Sequence, residues 1–101
     1  MFPGDEHQRM AARLRCVVRG QVQGVGFRAY LQANALSLGV GGRVKNLPDG
    51  SVELVAIGPS ASLDKLLELC RTGPAAANVS RVDEEWSVAE QDEYPFFEID
   101  P

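Results

Sequence analysis

One segment constrains this chain more than any other: an alternating strand that runs into a glycine-rich loop and re-emerges as a helix. Leu14, Cys16 and Val18 alternate with Arg15, Val17 and Arg19, the period-2 pattern of a half-buried strand. The chain then crosses Gly20, Gly24 and Gly26 without an acidic residue and reaches Arg28. Phe27, Tyr30, Leu31, Ala35 and Leu38 follow at spacings of three and four, the face of a helix that Gly39 is placed to stop.

That junction has the chemistry of an anion site. Glycines admit φ > 0 and let successive backbone N–H groups turn toward one point. The N–H groups and partial positive charge at a helix start favour the same ligand. Arg28 adds a planar, permanently charged fork able to grip two oxygens at once. Phosphate is the ligand this combination of Val22, Gln23, Gly24, Val25, Gly26, Phe27 and Arg28 points to.

Residues 40–46 and 51–57 flank Leu47-Pro48-Asp49-Gly50, a turn signal between two strands. Gly58-Pro59-Ser60 breaks the pattern, and Ser60 or Ser62 is the expected cap of a second helix. Its stripe is Leu63, Leu66, Leu67 and Cys70, ended by Gly73-Pro74. Residues 79–88 read as a fourth strand and 96–99 as a short fifth, with Glu90-Gln91-Asp92-Glu93 as a solvated loop between them. The order β-α-β-β-α-β plus a terminal strand predicts a ferredoxin-like α+β sandwich: an antiparallel sheet with two helices on one face. Residues 1–12 read as a disordered extension and 13–101 as the domain; Met10, just before the patterned segment, is a second conceivable start of translation.

A chain of 101 residues, 45% hydrophobic and 24% charged, suits one domain that needs no metal or disulfide staple. Cys16 and Cys70 both fall on apolar faces, so buried thiols and a reducing, cytoplasmic setting are expected. No apolar run approaches the roughly 18–20 residues needed to span a bilayer, and the N-terminus, carrying Asp5 and Glu6, has no apolar signal-peptide core. The net charge of −4 argues against a general nucleic-acid binder. Residues 1–45 nevertheless hold seven Lys/Arg against two Asp/Glu, while residues 46–101 hold three against twelve. Two readings stay open: a local positive field that steers a small anion, or chance surface charge.

Much chemistry is excluded by what is missing. His7, the only histidine, lies in the extension, and one His with two distant Cys has no zinc-site spacing. The loop contains no Ser, Thr, Cys, Asp or Glu, so nothing in it can form a phosphoenzyme. It is not a Walker A sequence, because no Gly-Lys-Ser/Thr follows. Catalysis here would rest on positioning and electrostatics, with water as nucleophile. With no evident general acid, the leaving group must depart unprotonated. A carboxylate, with a pKa of about 4, does so readily and an alkoxide does not. Acyl phosphates therefore suit the inventory, and phosphate monoesters do not. Asn46, on the same strand face as Val44, offers an acceptor and donors that could orient the water; as the residue before Leu47-Pro48-Asp49-Gly50 it equally suits plain turn chemistry.

The run Val18-x-Gly20-x-Val22-Gln23-Gly24-Val25-x-Phe27-Arg28 resembles the first signature of the acylphosphatases. Gly42-x-Val44-x-Asn46, followed by Asp49-Gly50-x-Val52, resembles their second, and the likeness extends over about residues 13–99. The resemblance implies the ferredoxin-like fold and hydrolysis of a carboxyl–phosphate anhydride by water, without metal, cofactor or covalent intermediate. It implies Arg28 as the phosphate-binding arginine, Asn46 as the water-positioning asparagine and the 22–27 backbone as the phosphate cradle. It also implies a small acyl phosphate as substrate, inorganic phosphate or sulfate as competitive ligands, and a monomer with no nucleic-acid or membrane partner. Arg43 stands where the family commonly has tryptophan. Alternation puts it on the face opposite Asn46, so its expected effect is on packing or surface charge rather than on chemistry. The alternatives are a non-catalytic ferredoxin-like ligand-binding module, and an acylphosphatase-like module of a larger carbamoyl-transfer enzyme; the length favours a free-standing enzyme over the latter.

Overall fold

The computed structural model describes residues 10–90 and 93–101. The elements are β1 (Met10–Gln21), α1 (Phe27–Leu38), β2 (Gly41–Asn46), β3 (Val52–Gly58), α2 (Ser60–Thr72), β4 (Asn78–Glu90) and β5 (Phe97–Ile99). The strands form one sheet in the order β4-β1-β3-β2-β5. Four of them pair antiparallel, as expected, while β5 lies parallel to β2, with Gly42 beside Phe97 and Val44 beside Ile99. The sheet is therefore mixed at that edge. A chain that leaves β4 and re-enters from the same end of the sheet runs opposite to β4, and that is the direction of β2.

The core lies between the sheet and the two helices. Leu14, Cys16 and Val18 of β1, Val44 of β2, and Val52, Leu54 and Ala56 of β3 turn one face toward Phe27, Leu31 and Ala35 of α1 and Leu63, Leu66 and Cys70 of α2. Each large apolar side chain buried this way contributes about 1.5–3 kcal/mol. The Tyr30 hydroxyl donates to the Leu69 carbonyl at 3.1 Å and ties the helices together. Their burial periods match the stripes read from the sequence because one face of each helix meets one continuous sheet.

The details differ at three element ends. Neither Ser60 nor Ser62 caps α2. Pro59 is its N-cap, at φ −61° and ψ 139°, and its carbonyl accepts from the N–H groups of Ser62 and Leu63. The ring of proline pre-sets the backbone entry, which leaves the serines inside the first turn. Residues 10–12 belong to β1 rather than to an extension, since they pair with residues 88–90 of β4. For the same reason Glu90 is in a strand, not in a loop. Residues 1–9, with His7, and residues 91–92 of the expected acidic loop lie outside the described residues.

Just before the glycine loop the β1–β4 register slips between Arg19 and Gly20, and Ser80 is the extra residue on β4. The extra residue puts the bulge on β4, where it locally disrupts the ladder beside Gly20. Gly20 sits there at φ 129°, and a Cβ on it would fall 2.2 Å from the Asn78 carbonyl oxygen. The clash is with backbone, so it cannot be relieved by rotating a side chain. Gly20→Ala is expected to destabilise the fold by about 2–4 kcal/mol, read as a lower denaturation midpoint at unchanged m-value; an unaltered midpoint would contradict this packing.

Candidate active site

β1 delivers the chain to a cleft of about 190 Å3 lined by Val22, Gly24, Gly26, Phe27, Arg28, Ala29, Asn46 and Ile99. Two left-handed glycines, Gly24 at φ 75° and Gly26 at φ 78°, turn the loop around it. Gly26 is also the N-cap of α1, without a side-chain cap, and the first turn of the helix carries no acid. Among the described residues, none of the N–H groups from Gln23 to Ala29 donates a hydrogen bond to the protein. The first helical bond runs from the Tyr30 N–H to the Gly26 carbonyl, at 3.0 Å. These are the orphan donors of a helix start, extended backward into the loop.

Arg28, in the first turn of α1, is half-buried at the cleft. Its Nη1 donates to the backbone carbonyl of Asp100 at 2.8 Å. That bond occupies one edge of the guanidinium and leaves the other donors of the fork to a ligand. Of the seven Lys/Arg in residues 1–45, Arg9 lies outside the described residues. Arg13, Arg15, Arg19, Arg43 and Lys45 are each ion-paired with a carboxylate. Arg28 has no carboxylate partner among the described residues. The positive half of the sequence is therefore largely neutralised in the fold, and the attraction for an anion is concentrated at Arg28 and the loop amides.

Asn46 closes β2 opposite Val52, on the same side as buried Val44, and its side chain reaches the cleft from the far wall. Its amide makes no hydrogen bond to another described group. The turn that follows is complete without it. The Leu47 N–H donates to the Ser51 carbonyl at 2.8 Å, and the Gly50 N–H to the Leu47 carbonyl at 3.1 Å. The Ser51 hydroxyl and N–H both donate to Asp49 Oδ1. The hydroxyl, then the N–H, then Arg19 hold the Asp49 carboxyl below the usual carboxylate range.

Gln23 and Val25, expected in the loop, do not line the cleft. Val25 is half-buried against the core. Gln23 does something its position in the sequence did not signal: its side-chain Nε2 donates to the carbonyls of Leu47 and Ser51, both at 2.8 Å. One amide thus ties the glycine loop to the turn beside Asn46. Ala29, Ile99 and Asp100 are the other additions to the site. Ile99 and Asp100 arrive through the parallel pairing of β5 with β2, which periodicity alone does not reveal. Arg43 is on the exposed face opposite Asn46, as alternation requires, with both its Nε and Nη2 on the Asp100 carboxylate.

None of the residues lining the cleft carries a hydroxyl, thiol, carboxyl or imidazole. Cys70 is buried across the core, where the hydrogen bond with Cys16, and then burial, pushes its thiol well up and keeps it protonated near neutrality. Among the described residues no three His, Cys, Asp or Glu side chains come together as a metal site. The larger groove, about 490 Å3, runs between α1 and α2 past Asn34, Leu38, Lys65 and Thr72, and lies away from the glycine loop.

Known proteins share this chain's sequence and architecture. The acylphosphatase family model matches residues 14–99, a span that contains the loop, Arg28 and Asn46. An acylphosphatase of Thermus thermophilus is 49% identical over 74 residues, covering 73% of this chain and 84% of that protein. One from Mycolicibacterium smegmatis is 45% identical over 84 residues, covering 83% and 86%. The crystal structure of the Bacillus subtilis acylphosphatase superposes with a TM-score of 0.84 at 33% identity, over 89% of this chain and 99% of that one. By family model, sequence and fold together, the chain belongs to the acylphosphatase family.

Proposed function

We propose that this protein hydrolyses the carboxyl–phosphate bond of small acyl phosphates by direct attack of a water. The loop amides of residues 22–27 and the free edge of the Arg28 guanidinium hold the phosphoryl oxygens. Asn46, across the cleft, holds the water in line. The new bond forms between the water oxygen and phosphorus, and the bond from phosphorus to the carboxyl oxygen breaks. The carboxylate leaves unprotonated, and the water's proton passes to the phosphate product or to solvent. As charge moves among the phosphoryl and leaving oxygens, donors already in place stabilise it without reorganising.

The observation that carries this reading is the lining itself. Among the described residues, undonated backbone N–H groups, one arginine without a carboxylate partner and one unengaged amide converge on a cleft whose lining offers neither a nucleophile nor a general acid. Such a site suits a substrate whose leaving group needs no proton. A non-catalytic anion-binding module would not call for Asn46, whose amide is free of any role in the turn. The described helices include none long and apolar enough to cross a membrane. Buried free thiols at Cys16 and Cys70 suit work in the cytosol, and nothing in the proposed chemistry calls for more than one copy of the chain. Incubation with an acyl phosphate in excess chelator tests the activity directly: metal-independent release of phosphate is expected, with competitive inhibition by added phosphate or sulfate.

Arg28→Lys keeps the charge but loses the planar fork that can face the Asp100 carbonyl along one edge and two phosphoryl oxygens along another. Its kcat/KM is expected to fall at least ~10²-fold, about 3 kcal/mol, with little change in Tm. Activity near wild type would sink the assignment of Arg28.

Asn46→Ala separates the water-positioning role from a turn role. Loss of a preorganised polar group should lower kcat by about 10²–10³-fold, while phosphate still inhibits because the loop and Arg28 remain. A protein that loses about 1 kcal/mol of stability and keeps its turnover would return Asn46 to the turn.

A further inference from the structure

Asp100 follows the last residue of β5 and is engaged on three sides. Its N–H donates to the Val44 carbonyl at 2.9 Å, which extends the parallel pairing by one bond. Its carbonyl accepts from Arg28 Nη1 at 2.8 Å. Its carboxylate takes a two-pronged grip from Arg43, with Nε to Oδ2 at 3.0 Å and Nη2 to Oδ1 at 2.9 Å. Arg43 and Arg28 thus hold one residue from opposite sides of the sheet edge, the first by its side chain and the second by its backbone.

We propose that Arg43 is a positioning residue for phosphate capture: by clamping the Asp100 carboxylate it fixes the carbonyl that orients the Arg28 guanidinium. Beyond Ile99 the strand pairing ends, and a single backbone bond is a weak restraint on a residue so near the end of an edge strand. A bidentate guanidinium–carboxylate pair adds geometric definition as well as charge attraction. With Asp100 held, the guanidinium presents its free edge to the cleft; with Asp100 released, that edge samples other directions and part of the grip on the phosphoryl oxygens is lost. Arg43 itself touches no ligand, because it stands on the exposed face opposite Asn46.

The inference rests on the proposed role of Arg28, and the variants separate the two claims. Arg43→Gln removes the clamp. Asp100→Asn weakens it while keeping the backbone N–H and carbonyl that Val44 and Arg28 use. Each is expected to raise the inhibition constant of inorganic phosphate, and to lower kcat/KM for an acyl phosphate, about three- to fivefold, the ceiling for a pair this exposed. The double variant should be no worse than either single one, since both remove one interaction. The ratio of wild type to Arg43→Gln should shrink as ionic strength rises and the clamp is screened. Lys45→Gln removes the same charge from the same strand face but breaks neither Arg43–Asp100 hydrogen bond; Lys45 acts on the Asp100 carboxylate only through space, so this variant should shift both constants less than Arg43→Gln does.

In an Arg28→Lys background, Arg43→Gln should add nothing further to the phosphate inhibition constant. Overturning results are wild-type constants in Arg43→Gln and Asp100→Asn, effects that multiply in the double variant, or an equal effect from Lys45→Gln, which would make the cause a general field. If Arg28→Lys is impaired and Arg43→Gln is not, the clamp alone fails. If Arg28→Lys is unimpaired, the reading of the site beneath it fails.

Discussion

The site depends on a stretch of backbone whose N–H groups the fold leaves unsatisfied. From Gln23 to Ala29 the backbone N–H groups donate to no other described residue, and a protein tolerates such a run of free donors only where solvent or a ligand completes it. Gly20 lets β1 pass close to the β4 backbone at the bulge just before the loop, and Gly24 and Gly26 supply the left-handed conformations that turn it. Helix α1 then begins without a competing cap or acid. Each of these is a local choice, and all four act in the same direction.

Unsatisfied donors are useful only if they stay still, and two side-chain devices hold them. Gln23 fastens the loop to the β2–β3 turn through two carbonyls and so sets the loop relative to Asn46. Asp100 fastens the Arg28 guanidinium from the edge strand. The rigid base under both is the apolar layer between sheet and helices, where Phe27, the first residue of α1, is itself buried. The N-terminus of the helix is thereby anchored in the core beside the loop that needs it. Preorganisation of this kind is what electrostatic catalysis requires, since donors that had to reorient would return much of their advantage.

Much of this was legible in the sequence, for reasons that can be named. Leu14, Cys16 and Val18 alternate because one sheet face is dry, and Phe27, Leu31 and Ala35 recur because one helix face meets it. Gly24, Gly26 and Arg28 pointed to one place because the loop glycines and the first turn of the helix do line a single cleft, whereas Gly20 answers to the backbone contact with Asn78. What escaped was whatever depends on contacts distant in sequence: the parallel docking of β5 on β2, the reach of Gln23 across to Leu47 and Ser51, and the convergence of Arg28 and Arg43 on Asp100. The serine cap of α2 was misread because Gly58-Pro59-Ser60 contains two competent entry signals, and the fixed φ of proline prevailed. The charge asymmetry along the chain was equally misleading as a picture of the surface. Ion pairs fold the acidic half onto the basic one, so Arg19 meets Asp49 and Asp83, and Arg15 meets Glu53.

The central claim is that the free amides of the loop, together with Arg28, are the groups that hold the phosphoryl moiety. The most direct measurement is a titration of the isotope-labelled protein with inorganic phosphate, followed by amide and guanidinium resonances, alongside inhibition of acyl phosphate hydrolysis at the same concentrations. The account predicts saturable shifts centred on Gly24, Gly26, Phe27 and Arg28, with a dissociation constant that matches the competitive inhibition constant. Shifts confined to the groove between α1 and α2, or saturation at the loop without competitive inhibition, would contradict it.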